Sequence, residues 1–212
     1  MTATFTRTSV STQFADPAER SIVDDTAAAL KSRGFDVAVA LSRSEAKRLV
    51  LDRIPEGSEV HSGSSVTLQE LGILNEIEGS GRYNALRPRA FEMDRATQAR
   101  EIRKLTGTPD VFLASAHAVT RDGRLLVGSA SGSQMGPISS GAGRVILVVG
   151  TQKIVENIDE AYRRLEEHVF PLENERAQVA YGMSSSINQT LTLNAGGQGR
   201  ISVVLVPEAI GF

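Results

Sequence analysis

Residues that could bind a small anion are concentrated in four short segments of this sequence. The first opens a candidate helix, whose free backbone amides could hold a carboxylate or a phosphate. The others contain glycines, which let the backbone approach a ligand, and side chains that form hydrogen bonds. The predicted anion-binding residues are Ser62, Gly63, Ser64, Ser65 and Thr67 in the first segment, Thr120 and Asp122 in the second, Ser133 and Gln134 in the third, and Gly150 and Lys153 in the fourth.

The first segment also has a purely structural interpretation. Ser64 or Ser65 could cap the helix that follows, and Thr67 and Glu70 have the spacing of a capping box. Neither the phosphate-binding loop pattern nor the dinucleotide pattern G-x-G-x-x-G occurs there. The sequence leaves an anion site and a simple helix cap open as alternatives.

His117 is the candidate catalytic residue. It follows the apolar run 111–113 within a turn-rich segment, and an imidazole that titrates near neutrality can act as a general acid or base. No partner for it is visible in the sequence, so a structural role is the alternative. His61, beside a strand, and His168, near a helix end where a cation suits the dipole, are weaker candidates.

Lys153 lies at the start of the helix predicted from about residue 154, after the apolar run 145–149. A cation there is unfavourable for the helix dipole but useful against a bound anion. No group of residues with metal-ligand spacing is recognised, and no metal site is predicted.

The elements that would position these residues alternate between helix and strand. Helices are predicted over 16–33, 42–54, 94–104 and 154–165, and strands over 35–41, 59–61, 111–113, 145–149 and 201–206. Such alternation predicts an open, mostly parallel α/β sheet with helices on both faces. Ligands bind such sheets at the carboxyl ends of the strands, so the four segments are expected to converge there.

The domain organisation follows from the same pattern. We predict one α/β domain over residues 16–212, preceded by a loose, Ser/Thr-rich tail over residues 1–15. The stretch 72–93 has weak periodicity and several glycines and arginines, which favours a long excursion that could act as a lid.

Composition excludes several classes of function. The 23 basic and 25 acidic residues nearly balance, which argues against a nucleic-acid partner. The chain has no cysteine, so it can form no disulfide and can hold no iron–sulfur cluster by itself; no cofactor of its own is predicted. Its longest apolar runs are far shorter than the roughly 20 residues of a membrane span, and its start lacks signal-peptide features, so we expect a cytoplasmic protein.

Across nearly its whole length the chain resembles the lactate-utilisation (LUD) domain proteins. The resemblance is carried by the segments Ser62–Ile73, Ala116–Leu125 and Val148–Val155, by Glu160, Ala161 and Arg176, and by Gly199–Val206. It implies an open, Rossmann-like α/β fold similar to that of ribose-5-phosphate isomerase, glucosamine-6-phosphate deaminase and CoA transferases. It also implies a role in oxidising L-lactate to pyruvate beside iron–sulfur partner subunits.

The chain departs from the family pattern at two places. Many members carry a cysteine-containing stretch where this chain has 180–188 without cysteine, and they usually have asparagine in place of His117. Two hypotheses follow: an accessory subunit of a lactate-oxidising system that binds a small anionic metabolite, or a stand-alone enzyme for a phosphosugar, an acyl-CoA or a folate-like substrate. Either protein could be a homo-oligomer.

Overall fold

A computed structural model describes residues 10–212 and arranges them in two β-sheets surrounded by helices. The strands are β1 Asp36–Val39, β2 Glu59–Ser62, β3 Asn84–Ala85, β4 Val111–Ala114, β5 Ala118–Thr120, β6 Leu125–Ser129, β7 Arg144–Gly150, β8 Ile154–Val155, β9 Gln189–Leu193 and β10 Ile201–Val206. The α-helices are α1 Arg20–Ser32, α2 Arg43–Leu51, α3 Val66–Glu70, α4 Ile73–Gly79, α5 Leu86–Glu92, α6 Ala99–Gly107, α7 Ile158–Arg164 and α8 Phe170–Tyr181.

The larger sheet is entirely parallel, with strand order β1-β10-β7-β4-β2-β3. Successive residues of β7 enter different cores: Val145 and Leu147 pack with residues of α1, whereas Ile146 and Val148 pack with residues of α2. Helices therefore cover both faces, which is why the central strands are almost continuously apolar. This architecture confirms the predicted open, Rossmann-like α/β sheet.

The smaller sheet has the order β8-β5-β6-β9 and is mixed in direction. β5 and β6 form an antiparallel hairpin whose turn contains Gly123 at a φ of 86°. This sheet was not predicted from the sequence, and its strands β5 and β8 have only three and two residues.

Folded structure begins closer to the N-terminus than the sequence predicts. A short 3-10 helix covers Thr12–Phe14, and Phe14 is buried against Ala118, Leu126 and Leu165. The predicted loose tail is thus wrong for residues 10–15, while residues 1–9 lie outside the described residues. α1 begins at Arg20, later than the predicted start of this helix at residue 16, and its N-cap residue forms no side-chain cap.

The predicted excursion over 72–93 is also folded. It contains α4 and α5, which bury Ile73, Ile77 and Leu86, and β3, which adds a strand at the sheet edge. The segment was missed because each of its elements is seven residues or shorter. Within residues 10–212, no helix combines the length and the apolar character needed to cross a bilayer.

Candidate functional site

A cavity of about 260 Å³ lies where the carboxyl ends of β2 and β4 meet the smaller sheet and α8. Its walls include the loop 63–67 after β2, the segment 114–117 at the end of β4 and residues 128–131 at the end of β6. Another wall comes from a long helical segment in which α7 continues through a π-helical turn, Leu165–Val169, into α8. π-Helical turns within helices are frequent at functional sites.

The structure brings most of the predicted site residues together. Those that line the cavity are Gly63, Ser64, Ser65, Thr67, His117, Ser133 and Gln134. Five others, Ser62, Thr120, Asp122, Gly150 and Lys153, do not line it. Neither of the weaker histidine candidates lines it either.

Thr120 and Asp122 lie at the turn of the β5–β6 hairpin. The Thr120 hydroxyl donates to the Asp122 carboxylate, whose Oδ2 is 3.0 Å from Nη2 of Arg33. The hydrogen bond from Thr120 is the main cause that lowers the pKa of Asp122. These two residues hold the hairpin against α1, which corrects their predicted place in the site.

Ser62 and Gly150 are the last residues of buried strands. A Cβ at Gly150 would lie 2.8 Å from the carbonyl oxygen of Glu208, so glycine there permits close packing and does not line the cavity. Ser65 has the alternative role that the sequence allowed: its Oγ accepts the backbone N–H of Leu68 at 3.3 Å and caps the five-residue helix α3.

Lys153 lies one layer behind the cavity wall and is 1% exposed. Its Nζ is 3.0 Å from Oγ1 of Thr67 and 3.1 Å from Oγ of Ser115, and both hydroxyl-bearing residues line the cavity. Burial lowers the pKa of Lys153 well below its usual value, and the nearby Arg164 lowers it further, against a smaller opposing effect of Glu70. Lys153 is therefore connected to the cavity through the hydroxyl groups of Thr67 and Ser115.

Arg164 is a fully buried cation at the end of α7. Its Nη1 donates to the carbonyl oxygen of His117, whereas its Nε and Nη2 have no hydrogen-bond partner within residues 10–212. Burial lowers the pKa of Arg164 to about 9, so the guanidinium stays charged at neutral pH. Arg164 was not predicted as a site residue, although its position three residues after Ala161 places it on the apolar face of the helix.

His117 lines the cavity and also joins two strands. Its Nδ1 accepts the backbone N–H of Gly128 at 2.9 Å, and its own backbone N–H donates to Leu126 at 2.9 Å. Burial, reinforced by Lys153 and Arg164, lowers the pKa of His117 to about 3. The expected titration near neutrality is therefore wrong: the ring is neutral, carries its proton on Nε2 and can serve as a hydrogen-bond donor.

A polar network from α8 reaches the loop after β2 at the cavity. Glu173 forms a two-point ion pair with Arg176, with both N–O distances at 2.7 Å. Cζ of Arg176 is 5.4 Å from the centre of the Tyr181 ring, and Oη of Tyr181 is 3.4 Å from Oγ of Ser64. The contacts with Ser64 and Arg176 lower the pKa of Tyr181, and the hydrogen bond with Glu173 raises that of Arg176.

The residues of this network were not predicted as site residues. Arg176 entered only through the family resemblance, and Glu173 and Tyr181 carry no local motif. Their three- and five-residue spacings are ordinary for a helix surface, and only tertiary packing brings them to the cavity. Across the described chain, no group of three or more His, Cys, Asp or Glu residues is arranged to hold a metal ion.

An open parallel sheet with a polar cavity at the carboxyl ends of its strands defines a Rossmann-like α/β protein with a candidate small-molecule site. The family model for the LUD domain matches residues 23–206. The chain therefore belongs to the LUD-domain family, which confirms the resemblance found in the sequence.

Solved structures agree with this fold. The crystal structure of a DUF162 family protein from Deinococcus radiodurans is similar to this chain with a TM-score of 0.50 and 14% sequence identity. The similarity covers 90% of this chain and 99% of the other. A comparison with curated proteins finds no match.

Proposed function

We propose that this protein is a component of L-lactate utilisation that binds a small carboxylate, such as a 2-hydroxy acid, in the cavity beside His117. Membership of the LUD-domain family supports a function related to lactate utilisation at the level of the family. The observation that carries the proposed ligand class is the buried positive charge of Arg164 next to the cavity wall.

The charge balance around the cavity favours an anion. In the wall itself, Glu173 and Arg176 neutralise each other. Behind the wall, Arg164 has no carboxylate ion-pair partner among residues 10–212. A buried charge without a partner costs several kcal/mol, on the order of what an ion pair or a bound anion can offset. A carboxylate in the cavity would supply the missing negative charge.

The donors in the wall suit a small carboxylate. Nε2–H of His117 and the hydroxyl groups of Ser64 and Ser115 can donate to carboxylate or hydroxyl oxygens. A volume of about 260 Å³ is below the roughly 300–1,000 Å³ of typical drug-sized pockets, which favours a ligand of a few heavy atoms.

The absence of cysteine supports an accessory role for the chain in such a system. Oxidation of lactate releases two electrons, and this chain has no thiolate to hold an iron–sulfur cluster. We propose that clusters on partner subunits accept the electrons, with this chain as the accessory, cluster-free component.

Calorimetric titration tests the ligand class. L-Lactate and pyruvate should bind, and lactamide, which has the same shape without the charge, should bind at least about 10-fold more weakly, as expected for loss of a charge-assisted hydrogen bond. Arg164→Met should weaken carboxylate binding by a similar factor. The matched control is Arg163→Met, because Arg163 is the neighbouring residue but lies on the exposed face, where it contacts Glu167.

Two outcomes would overturn the proposal. Equal binding of lactate and lactamide would exclude recognition of the charge. Binding only of sugar phosphates or acyl-CoA, together with unchanged growth of a deletion strain on L-lactate, would favour the stand-alone enzyme instead. Circular dichroism and thermal melts of Arg164→Met separate a loss of binding from a loss of folding.

A further inference from the structure

The geometry of Ser115 and Lys153 points to a second chemical capability. We propose that Ser115 is a nucleophile that accepts a small acyl group from an activated ester or thioester, with Lys153 as its general base. This activity goes beyond the binding of a carboxylate and does not rest on the proposed function.

The two residues have the arrangement that an activated serine requires. Nζ of Lys153 is 3.1 Å from Oγ of Ser115, within the range of a nucleophile–base hydrogen bond. Ser115 lines the cavity between Ala114 and Ala116 and is half-buried, so part of its surface remains exposed. Lys153 is 1% exposed, so it reaches the cavity only through hydroxyl groups.

The surroundings of Lys153 favour the neutral amine that a base must provide. Burial and the charge of Arg164 both lower its pKa, and the carboxylate of Glu70 opposes them only partly. Thr67 Oγ1 is 3.0 Å from the same amine and 3.4 Å from Ser115 Oγ, so the two hydroxyls lie side by side in front of Nζ. Buried lysines with lowered pKa values are the usual source of general-base lysines.

Ser115 has two contacts besides Lys153, and the first is with Thr67, whose Oγ1 lies 3.4 Å from Oγ of Ser115. Oγ of Ser115 is also 3.1 Å from the carbonyl oxygen of Ala116, which accepts the hydroxyl proton in the resting arrangement. Rotation of the hydroxyl from this carbonyl towards Nζ of Lys153 would place the proton on the path to the base. Nε2–H of His117, in the same wall, is a donor available to the oxygen on which negative charge develops.

The reaction needs only the ester or thioester and water. Oγ of Ser115 bonds to the acyl carbon while its proton passes to the neutral Nζ of Lys153. The leaving alkoxide or thiolate takes that proton as its bond to the acyl carbon breaks, and an acyl ester remains on Ser115. Water then attacks this ester with Lys153 as base again, which releases a carboxylic acid and restores the serine.

The experiment is a burst assay with p-nitrophenyl acetate on the full chain, with intact-mass and peptide analysis of the product. We expect about one acetyl group per chain, located on Ser115, as for an acyl-enzyme that accumulates. Ser115→Ala should abolish the burst, and Lys153→Met should slow acetylation about 100-fold or more, the usual contribution of a general base. Ser202→Ala is the matched control, because Ser202 is a buried serine outside the cavity whose hydroxyl bonds a carboxylate, that of Asp36.

The pH dependence of acetylation in the wild-type chain tests the role of Lys153 even if Lys153→Met does not fold. The acetylation rate should rise with pH to a plateau whose midpoint lies below the roughly 10.4 of a free lysine. No burst, acetylation of Ser115 that is unchanged in a folded Lys153→Met, or a rate that follows hydroxide without a plateau would each overturn the proposal. Lactate binding is measured separately, so failure here leaves the proposed carboxylate site standing.

Discussion

The Nδ1 atom of His117 accepts the backbone N–H of Gly128 across the β5–β6 hairpin at 2.9 Å. The same ring lines the cavity, so one side chain both holds two strands in register and shapes the candidate site. Any variant of His117 must therefore be judged by its stability as well as by its binding.

Replacing His117 with alanine should destabilise the fold. The backbone N–H of Gly128 would lose its acceptor, which costs about 1–3 kcal/mol for a buried donor. His117→Asn is the control, since an asparagine Oδ1 can occupy the place of Nδ1 and accept the same N–H. Urea denaturation of the three proteins measures the difference. A stable His117→Ala with weakened ligand binding would mean that the hydrogen bond to Gly128 matters little.

Stability should fall as the pH is lowered through the acidic range. In the folded chain the pKa of His117 is about 3, against 6.5 for a free imidazole, so between these values the unfolded chain binds more protons than the folded one. The stabilisation that the neutral ring contributes is thus complete above about pH 6.5 and is lost as the pH falls towards 3. Urea denaturation at pH 7 and pH 5 should show this loss, and His117→Asn should reduce it.

His61 contributes to the same pH dependence, because burial lowers its pKa to about 4. In His117→Asn the free energy of unfolding should therefore still fall somewhat as the pH is lowered. If it fell as steeply as in the wild type, the pH dependence could not be assigned to His117. Ligand binding, in contrast, should not strengthen between pH 8 and pH 6, since His117 stays neutral throughout. We therefore expect His117 to meet the ligand as a neutral N–H donor and not as the imidazole titrating near neutrality that the sequence predicts.

Gly123 should tolerate no side chain. It has a φ of 86°, and a Cβ there would lie 2.7 Å from the carbonyl carbon of Ala29 in α1. Gly57 is a matched control, with a φ of 76° and nothing within 4 Å of its Cβ position. Gly57→Ala should cost about 1–2 kcal/mol, from backbone strain alone. Gly123→Ala should cost at least about 1–3 kcal/mol more, because the hairpin must move away from α1; equal costs in thermal melts would show that this contact yields easily.

The sequence predicts the larger sheet well because its central strands are buried on both faces. The runs 145–149 and 201–206 differ from β7 and β10 by at most one residue at either end. Parallel strands then bring their following loops to one edge, which is why 63–67 and 114–117 meet at the cavity. These parts of the site follow from local apolar runs and topology.

The rest of the site depends on contacts that no local pattern encodes. β8 has two residues, and most of β9 is exposed or half-buried, so neither of these strands has a distinct hydrophobic signal. Tyr181 meets Ser64 across 117 residues of sequence, and Arg164 meets the carbonyl of His117 across 47. Such pairs follow from how α7 and α8 pack, and the charged residues of α8 look like ordinary surface residues in the sequence.

The network of Glu173, Arg176 and Tyr181 should tune both the charge of the cavity and the acidity of the tyrosine. Arg176→Gln would leave Glu173 as an unpaired carboxylate in the wall, so carboxylate binding should weaken, by roughly 3- to 10-fold at low ionic strength and less at high salt, as expected for a partly exposed charge. The same change should raise the pKa of Tyr181, because Arg176 is one of the two contacts that lower it. Ultraviolet titration, with Tyr181→Phe to assign its signal among the three tyrosines of the chain, measures the shift.

The control for the binding measurement is Glu173→Gln with Arg176 intact, which should strengthen carboxylate binding because the positive charge of the wall is no longer neutralised. If both variants weakened binding equally, the network would act on the shape of the cavity, and its charge would have no part in recognising the ligand.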